Sequence, residues 1–209
     1  TASLKWSAAT CLGMSWASTR SAVERRTERV LSDLDERWGD HERRPKLVYH
    51  SPPHDRDEPP STAAAQLATM AGIASVVVWN DRRRREVVLV DTQRLVGPPG
   101  GRIEPGQTPE AAARAEAREE TGLAVELTEP LYTRRVAYTD DRAVGLPVAQ
   151  FAGYRTDSST SNARVEPTRA FADDRLFDAE TLPETRRDHD LIAERLADPP
   201  ARESRHRWD

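Results

Sequence analysis

The sequence predicts a mixed α/β domain behind an N-terminal helical extension, and three observations carry that prediction. Two β-branched apolar runs, 72–79 and 86–91, flank a short charged turn as the strands of a hairpin do. Between 97 and 123 a loop rich in Gly and Pro leads into an alanine-rich stretch with helix start and stop signals. Further apolar runs at 131–138 and 147–154 then precede a last helical pattern at 184–196 that carries Leu191, Ile192 and Leu196 on one face.

Bulk properties narrow the class. A chain of 209 residues fits one domain with an extension, and 37% apolar against 32% charged residues still supplies a core. The formal net charge of −4 gives no general attraction to phosphate backbones, so no nucleic-acid partner is expected. The run Arg82 to Arg85 reads as a solvated turn for the same reason. Cys11 is the single cysteine, which leaves no route to an intrachain disulfide or a thiol zinc cluster. Any metal must be held by oxygen or imidazole. No apolar run approaches the roughly 20 residues of a bilayer span, and the first residues are interrupted by polar side chains, so a cytoplasmic protein with no membrane partner is expected.

Ahead of the main domain, Val23, Val30, Leu31, Leu34 and Trp38 recur at helical spacing, which predicts an amphipathic helix over 21–38 capped by Ser21 and ended by Gly39. Residues 1–20 show no sustained period and leave a disordered lead and a packed one both open, Trp6 and Trp16 pointing to some burial. A short strand is predicted within 43–50. The proline-rich, charged segment 51–61 cannot be regular structure, which divides the chain into an extension over 1–60, a main domain over 61–198 and a tail over 199–209. The helix could cover the sheet, make a homodimer contact or shape a substrate pocket. The five histidines have no partner at ligand spacing and are expected at the surface.

The segment GPPGGRIEPGQTPEAAARAEAREETGLAV, starting at Gly97, carries the chemistry. Its glycines and prolines let the backbone turn sharply and approach a ligand closely. Thr108 is a good N-cap, Pro109 suits the first helical position, and Gly122 is placed to end the helix in a left-handed conformation. Glu116, Glu119 and Glu120 then stand at i, i+3 and i+4 on one helix face. Such like charges either face solvent or hold hard cations between their oxygens.

In this order of loop, cap, helix and carboxylates the segment resembles the signature of the Nudix hydrolases, which are MutT-like: a Gly, five residues, a Glu, seven residues, then Arg-Glu-apolar-any-Glu-Glu-any-Gly-apolar. The register runs through Gly101, Gln107, Ala115, Glu116, Ala117, Arg118, Glu119, Glu120, Thr121, Gly122 and Leu123 without insertion. Two positions depart from it, with Gln107 for the usual Glu and Ala115 for the usual Arg. Losing both partners of a brace removes attraction and desolvation cost together, so an exchanged structural brace is expected.

The resemblance implies an α/β/α sandwich around a mixed sheet and water-driven cleavage of a pyrophosphate bond in a nucleoside diphosphate linked to another moiety: a nucleotide sugar, a dinucleoside polyphosphate or a nucleoside triphosphate. It implies Mg²⁺ or Mn²⁺ on Glu116, Glu119 and Glu120, with the Gly101 carbonyl adding an oxygen and Glu119 a candidate base. Glu166, Asp173 and Asp174 are the downstream acids that could serve as base instead. Arg102, Glu104 and Tyr138 are the candidate substrate contacts. The rival reading is a Nudix-fold nucleotide-binding or regulatory module with weakened catalysis. A second rival, isoprenoid diphosphate isomerisation, relies on a core cysteine, whereas Cys11 lies outside the resembling stretch.

Overall fold

The computed structural model describes residues 16–49, 70–80, 86–91, 96–138, 141–156, 174–183 and 188–197. Among the described residues the fold is mixed α/β, with an N-terminal helix and a mixed eight-stranded sheet whose main hydrogen-bonding order is β1-β6-β7-β2-β3-β4, with β5 paired to β2 and β8 to β3. In chain order the elements are α1 (Trp16–Trp38), β1 (Leu47–Tyr49), β2 (Gly72–Trp79), β3 (Val87–Asp91), β4 (Val96–Gly97), β5 (Gly100–Ile103), α2 (Pro109–Thr121), β6 (Val125–Tyr138), β7 (Asp141–Arg155), β8 (Asp174–Phe177) and α3 (His189–Ala197). The described residues form two compact units, one holding those up to Ala74 with Gly101–Ala112 and Glu129–Phe151, the other holding the rest.

In the first unit, α1 starts at Trp16 rather than at Ser21. No Gly or Pro lies between the two to break the helix, so Ser21 sits inside it, and the last five residues of the stretch 1–20 are helical. Val23, Thr27 and Leu34 make the buried stripe, and burying each of the two aliphatic side chains contributes on the order of 1.5–3 kcal/mol. Thr27 Oγ1 donates to the Gly145 carbonyl at 2.8 Å, which satisfies the one hydroxyl in that stripe. On the outer side, Arg135 pairs with Glu24 and Glu28, one turn apart on α1. Gly39, at φ 72, ends the helix as expected, its N–H donating to the Asp35 carbonyl at 2.8 Å.

The chain then runs parallel to β6. Arg43 bridges Thr133, and β1 pairs Leu47 with Val136 and Tyr49 with Tyr138. Four steps on this strand match three on β6, so one residue bulges out, and Pro45, which has no N–H to contribute, lies between the two pairings.

In the second unit the predicted hairpin is present, with Val78 opposite Val88 and Trp79 opposite Val87. Asn80 closes its described part, N–H to the Glu86 carbonyl at 3.0 Å and Nδ2 to the Glu86 carboxylate at 2.8 Å. Val76 to Trp79 and Val87 to Val90 are buried without alternation, which is why both runs are apolar throughout. Residues Arg82 to Arg85 lie outside the described residues.

Several strands differ from expectation. The Gly-rich segment contains β4 and β5 and is not a simple loop; the Ala71 N–H donates to the Ile103 carbonyl at 2.8 Å. Strand β6 begins at Val125 instead of 131, because Val125 and Leu127 are buried while Glu126 and Thr128 are exposed, a period of two that Pro130 interrupts in the sequence but not in the strand. Strand β7 likewise begins at Asp141, and β8 was not expected. The last helix starts at His189, with Ile192 and Leu196 buried as the spacing predicts.

One capping bond gives a direct test of local stability. Thr108 Oγ1 accepts the Ala111 N–H at 3.2 Å, the bond an N-cap makes to the third helical residue. Thr108→Ala is expected to lower stability by about 1 kcal/mol in urea unfolding, and Thr108→Ser to restore most of it.

Candidate functional site

Helix α2 is pinned in register at both ends. Its start carries the Thr108 cap, and at its end Gly122, at φ 72, donates to the Arg118 carbonyl at 2.9 Å. Thr121 Oγ1 donates to the Ala117 carbonyl at 2.5 Å and accepts the Leu123 N–H at 3.2 Å, which fixes the exit from the last turn. The angular positions of Glu116, Glu119 and Glu120 are therefore set by the helix itself.

In the second unit, Ala113 and Ala117 are fully buried, and Glu116 and Glu120 follow the same face into the interior at 8% and 6% exposure. Glu119 is half-buried at the margin. Removing carboxylates from water is costly unless donors or cations offset it. The Gly100 N–H donates to Glu120 Oε2 at 3.0 Å and ties the Gly-rich segment to the helix. Sequence reasoning placed Glu120 but missed this bond, since a backbone donor 20 positions away leaves no trace in composition. Among the described residues no three His, Cys, Asp or Glu side chains are gathered into a preformed metal cage. The three glutamates share a helix face as predicted, but like charges do not converge unaided. As a donor set, three carboxylates without thiol or imidazole fit Mg²⁺ or Mn²⁺.

In the first unit, Gly101 and the exposed Arg102 lie on β5, and Glu104 follows it, also exposed. Glu104, Pro105, Gly106 and Gln107 form a tight turn with Pro at the second position and Gly106 at φ 86 in the third, the pattern of a type II turn. The Gln107 N–H donates to the Glu104 carbonyl and Gln107 Oε1 accepts the Glu104 N–H, each at 3.0 Å. The side chain that departs from the signature thus closes its own turn, and an uncharged amide oxygen suffices for that bond.

A stronger contact was not legible in the sequence. Glu110, in the first turn of α2, is buried at 6% exposure and receives three hydrogen bonds from the end of α1: Arg37 Nε at 2.8 Å, Arg37 Nη2 at 3.2 Å and Trp38 Nε1 at 2.8 Å. A Glu at this position reads in sequence as a complement to the helix dipole, which hides the tertiary role. Burial alone would raise its carboxyl pKa, but the hydrogen bonds from Arg37 and Trp38 outweigh it and hold the group below its usual 4.5. A group depressed in the folded state stabilises above its unfolded pKa, and that stabilisation is lost as pH falls through the folded value. Acid unfolding of the wild type below about pH 4.5 should accordingly contain a component absent from Glu110→Gln, measured by circular dichroism across a pH series.

His41 corrects the expectation of surface histidines. Its side chain is 3% exposed, with Nδ1 at 3.0 Å from the Gly39 carbonyl and Nε2 at 3.1 Å from Thr133 Oγ1. The turn after α1 folds it against β6, where it joins two backbone segments. His189 lies at the start of α3, and the other three histidines lie outside the described residues. Tyr132 and Phe151 are core residues, and the Arg44 guanidinium covers the Tyr132 ring at 3.9 Å. Tyr138 ends β6, but its side chain lies outside the described residues, as do Glu166, Asp173 and the side chain of Asp174.

The sequence matches the NUDIX domain family over residues 70–196, more than half of the chain. The chain therefore belongs to the Nudix hydrolase family. The expectation of an enzyme of this class holds, and with it the predicted fold class. Similar solved structures include a hydrolase of the NUDIX family from Clostridium perfringens, at 20% identity and TM-score 0.45, covering 60% of this chain and 95% of that one. A NUDIX hydrolase from Nitrosomonas europaea is 19% identical with TM-score 0.46, covering 60% of this chain and 69% of its own. An ADP-ribose pyrophosphatase from Streptococcus suis is 16% identical with TM-score 0.40, covering 60% and 85%. No curated protein matches. Among the described residues no helix is long and apolar enough to cross a membrane.

Proposed function

We propose that this chain hydrolyses a pyrophosphate bond in a nucleoside diphosphate linked to another moiety, in a reaction that depends on Mg²⁺ or Mn²⁺ at Glu116, Glu119 and Glu120. The observation that carries the reading is the carboxylate face of α2: two of its three glutamates are buried, and one is tied to Gly100 of the Gly-rich segment. Bound divalent cations would neutralise the diphosphate oxygens so that water can approach phosphorus in line. The chain's own part is to fix the three carboxylates on a capped helix, and to keep two of them where water is scarce and charge interactions are strong. Glu119, half-buried on the same helix, completes the carboxylate set. Gly101 belongs to this reading through the signature, by its backbone oxygen, while Arg102 and Glu104 in the Gly-rich segment and Tyr138 beyond the helix are candidate substrate contacts that single substitutions test. A cytoplasmic location goes with nucleotide substrates of this kind.

The deciding experiment assays nucleotide sugars, dinucleoside polyphosphates and nucleoside triphosphates with Mg²⁺, with Mn²⁺ and with chelator, for the wild type and Glu120→Gln. Cation-dependent release of a nucleoside monophosphate or of pyrophosphate, lost in the variant, is the expected result. If the wild type cleaves nothing but binds a nucleotide in calorimetry, the regulatory module takes its place.

A further inference from the structure

We infer that Glu110 is a positioning residue, gripped by Arg37 and Trp38, and that α1 is thereby part of the working enzyme although it lies wholly outside the family-matched residues 70–196. The inference rests on the proposed hydrolytic reading of α2.

The grip has the features of a fixed joint. Arg37 presents two nitrogens to the two oxygens of one carboxylate, a fork that sets direction as well as distance. Trp38 adds a third donor through its indole N–H, while its ring packs against the fully buried Phe151 with centroids 6.1 Å apart. Neither donor can follow Glu110 if the helix start shifts, because α1 is itself held by the buried Thr27 bond to Gly145 and by the Arg135 pairs with Glu24 and Glu28. Glu110 lies two residues after the Thr108 cap, in the first turn of the same continuous helix that carries Glu116, Glu119 and Glu120. A helix transmits a shift or tilt of its first turn to later turns, because its hydrogen-bond ladder keeps it stiff over the roughly 9–15 Å that separate these positions at 1.5 Å per residue. Catalytic geometry is sensitive on that scale, since a misplacement of about 1 Å can cost about a hundredfold in rate.

Four variants of the full chain test the inference: Glu110→Gln, Trp38→Phe, which keeps an aromatic ring but loses the N–H, Arg37→Met, and Arg37→Lys as a partial rescue. Each is assayed for kcat and KM on the substrate found in the panel, well below its own melting temperature. The expected result is a kcat about tenfold lower in Glu110→Gln and Arg37→Met, with KM little changed, and a double variant no worse than the singles. A purely structural grip would lower the melting temperature and leave kcat of the folded protein unchanged within about twofold; that outcome overturns the inference. Hydrogen exchange at the amides of residues 116–120 supplies a readout independent of turnover. If the wild type cleaves no substrate, the hydrolytic reading fails by itself. Exchange in Glu110→Gln then decides the coupling: acceleration at 116–120 under native conditions sustains it, and wild-type protection there refutes it.

Discussion

Glu120→Gln is expected to lower kcat by about a hundredfold or more, on the scale of removing one charge-stabilising group from an active site, with little change in melting temperature. The two halves of that expectation have separate physical sources. Gln keeps an oxygen that can accept the Gly100 N–H now bonded to Glu120 Oε2 at 3.0 Å, so the tie between the Gly-rich segment and α2 survives. What disappears is a negative charge at a position 6% exposed, where electrostatic interactions are weakly screened and one fewer carboxylate is available for a divalent cation. Glu120→Ala removes charge and acceptor together and should add a stability loss of about 1 kcal/mol or more, because the N–H of Gly100 loses its acceptor. Glu119→Gln, at a half-buried position, should cost less in rate than either buried glutamate. Rate measurements over a Mg²⁺ series, with thermal melts of the same samples, separate these contributions. Wild-type turnover in Glu120→Gln at saturating Mg²⁺ would remove Glu120 from the machinery altogether.

The site helix was legible because its signals are local. Thr108, Pro109 and Gly122 act within four residues of the groups they satisfy, and the i, i+3, i+4 spacing of the glutamates follows from helix geometry alone. The hairpin was legible for the same reason, its two apolar runs lying close together in the sequence with only polar residues between them. Contacts between distant segments were not. Nothing in the sequence around Glu110 announces that a guanidinium and an indole 73 and 72 positions earlier will bond to it, and nothing around His41 announces Thr133. These pairings depend on where α1 and the following segment dock, and that is decided by shape and burial rather than by spacing. Strand β6 extends back to Val125, ahead of the apolar run at 131–138, and passes through Pro130; a proline is tolerated in a strand where its missing N–H has no ladder bond to make. Gln107 shows the opposite case. As a departure from the family signature it suggested an exchanged brace, and its side chain adds one bond, from the Glu104 N–H to Oε1, to the backbone bond that closes the same turn, so the Gly-rich segment is not left slack by the exchange.

Gly153→Ala should be the most disruptive single methyl addition in the second unit. A Cβ at this position would lie 2.6 Å from Val125 Cγ1, 2.8 Å from the Glu126 carbonyl oxygen and 3.3 Å from Val76 Cγ2. The conflict is one of space and not of conformation, since Gly153 is absent from the glycines with positive φ. Two of the three neighbours cannot step aside cheaply: Val125 is β-branched and has few rotamers, and the carbonyl of Glu126 belongs to strand β6 itself. Relief therefore requires β6 and β7 to separate locally, an overpacking cost of about 1–3 kcal/mol. In a chain of this length that corresponds to a fall in melting temperature of roughly 2–12 °C. Gly97→Ala is the control, because a Cβ there meets nothing within 4 Å, and its stability should stay within about 0.5 kcal/mol of wild type. Equal melting temperatures for the two variants would mean that Val125 and the β6 backbone yield without cost, and that the close approach of the two strands at Gly153 is not what holds Val125 in place just beyond the end of the carboxylate helix.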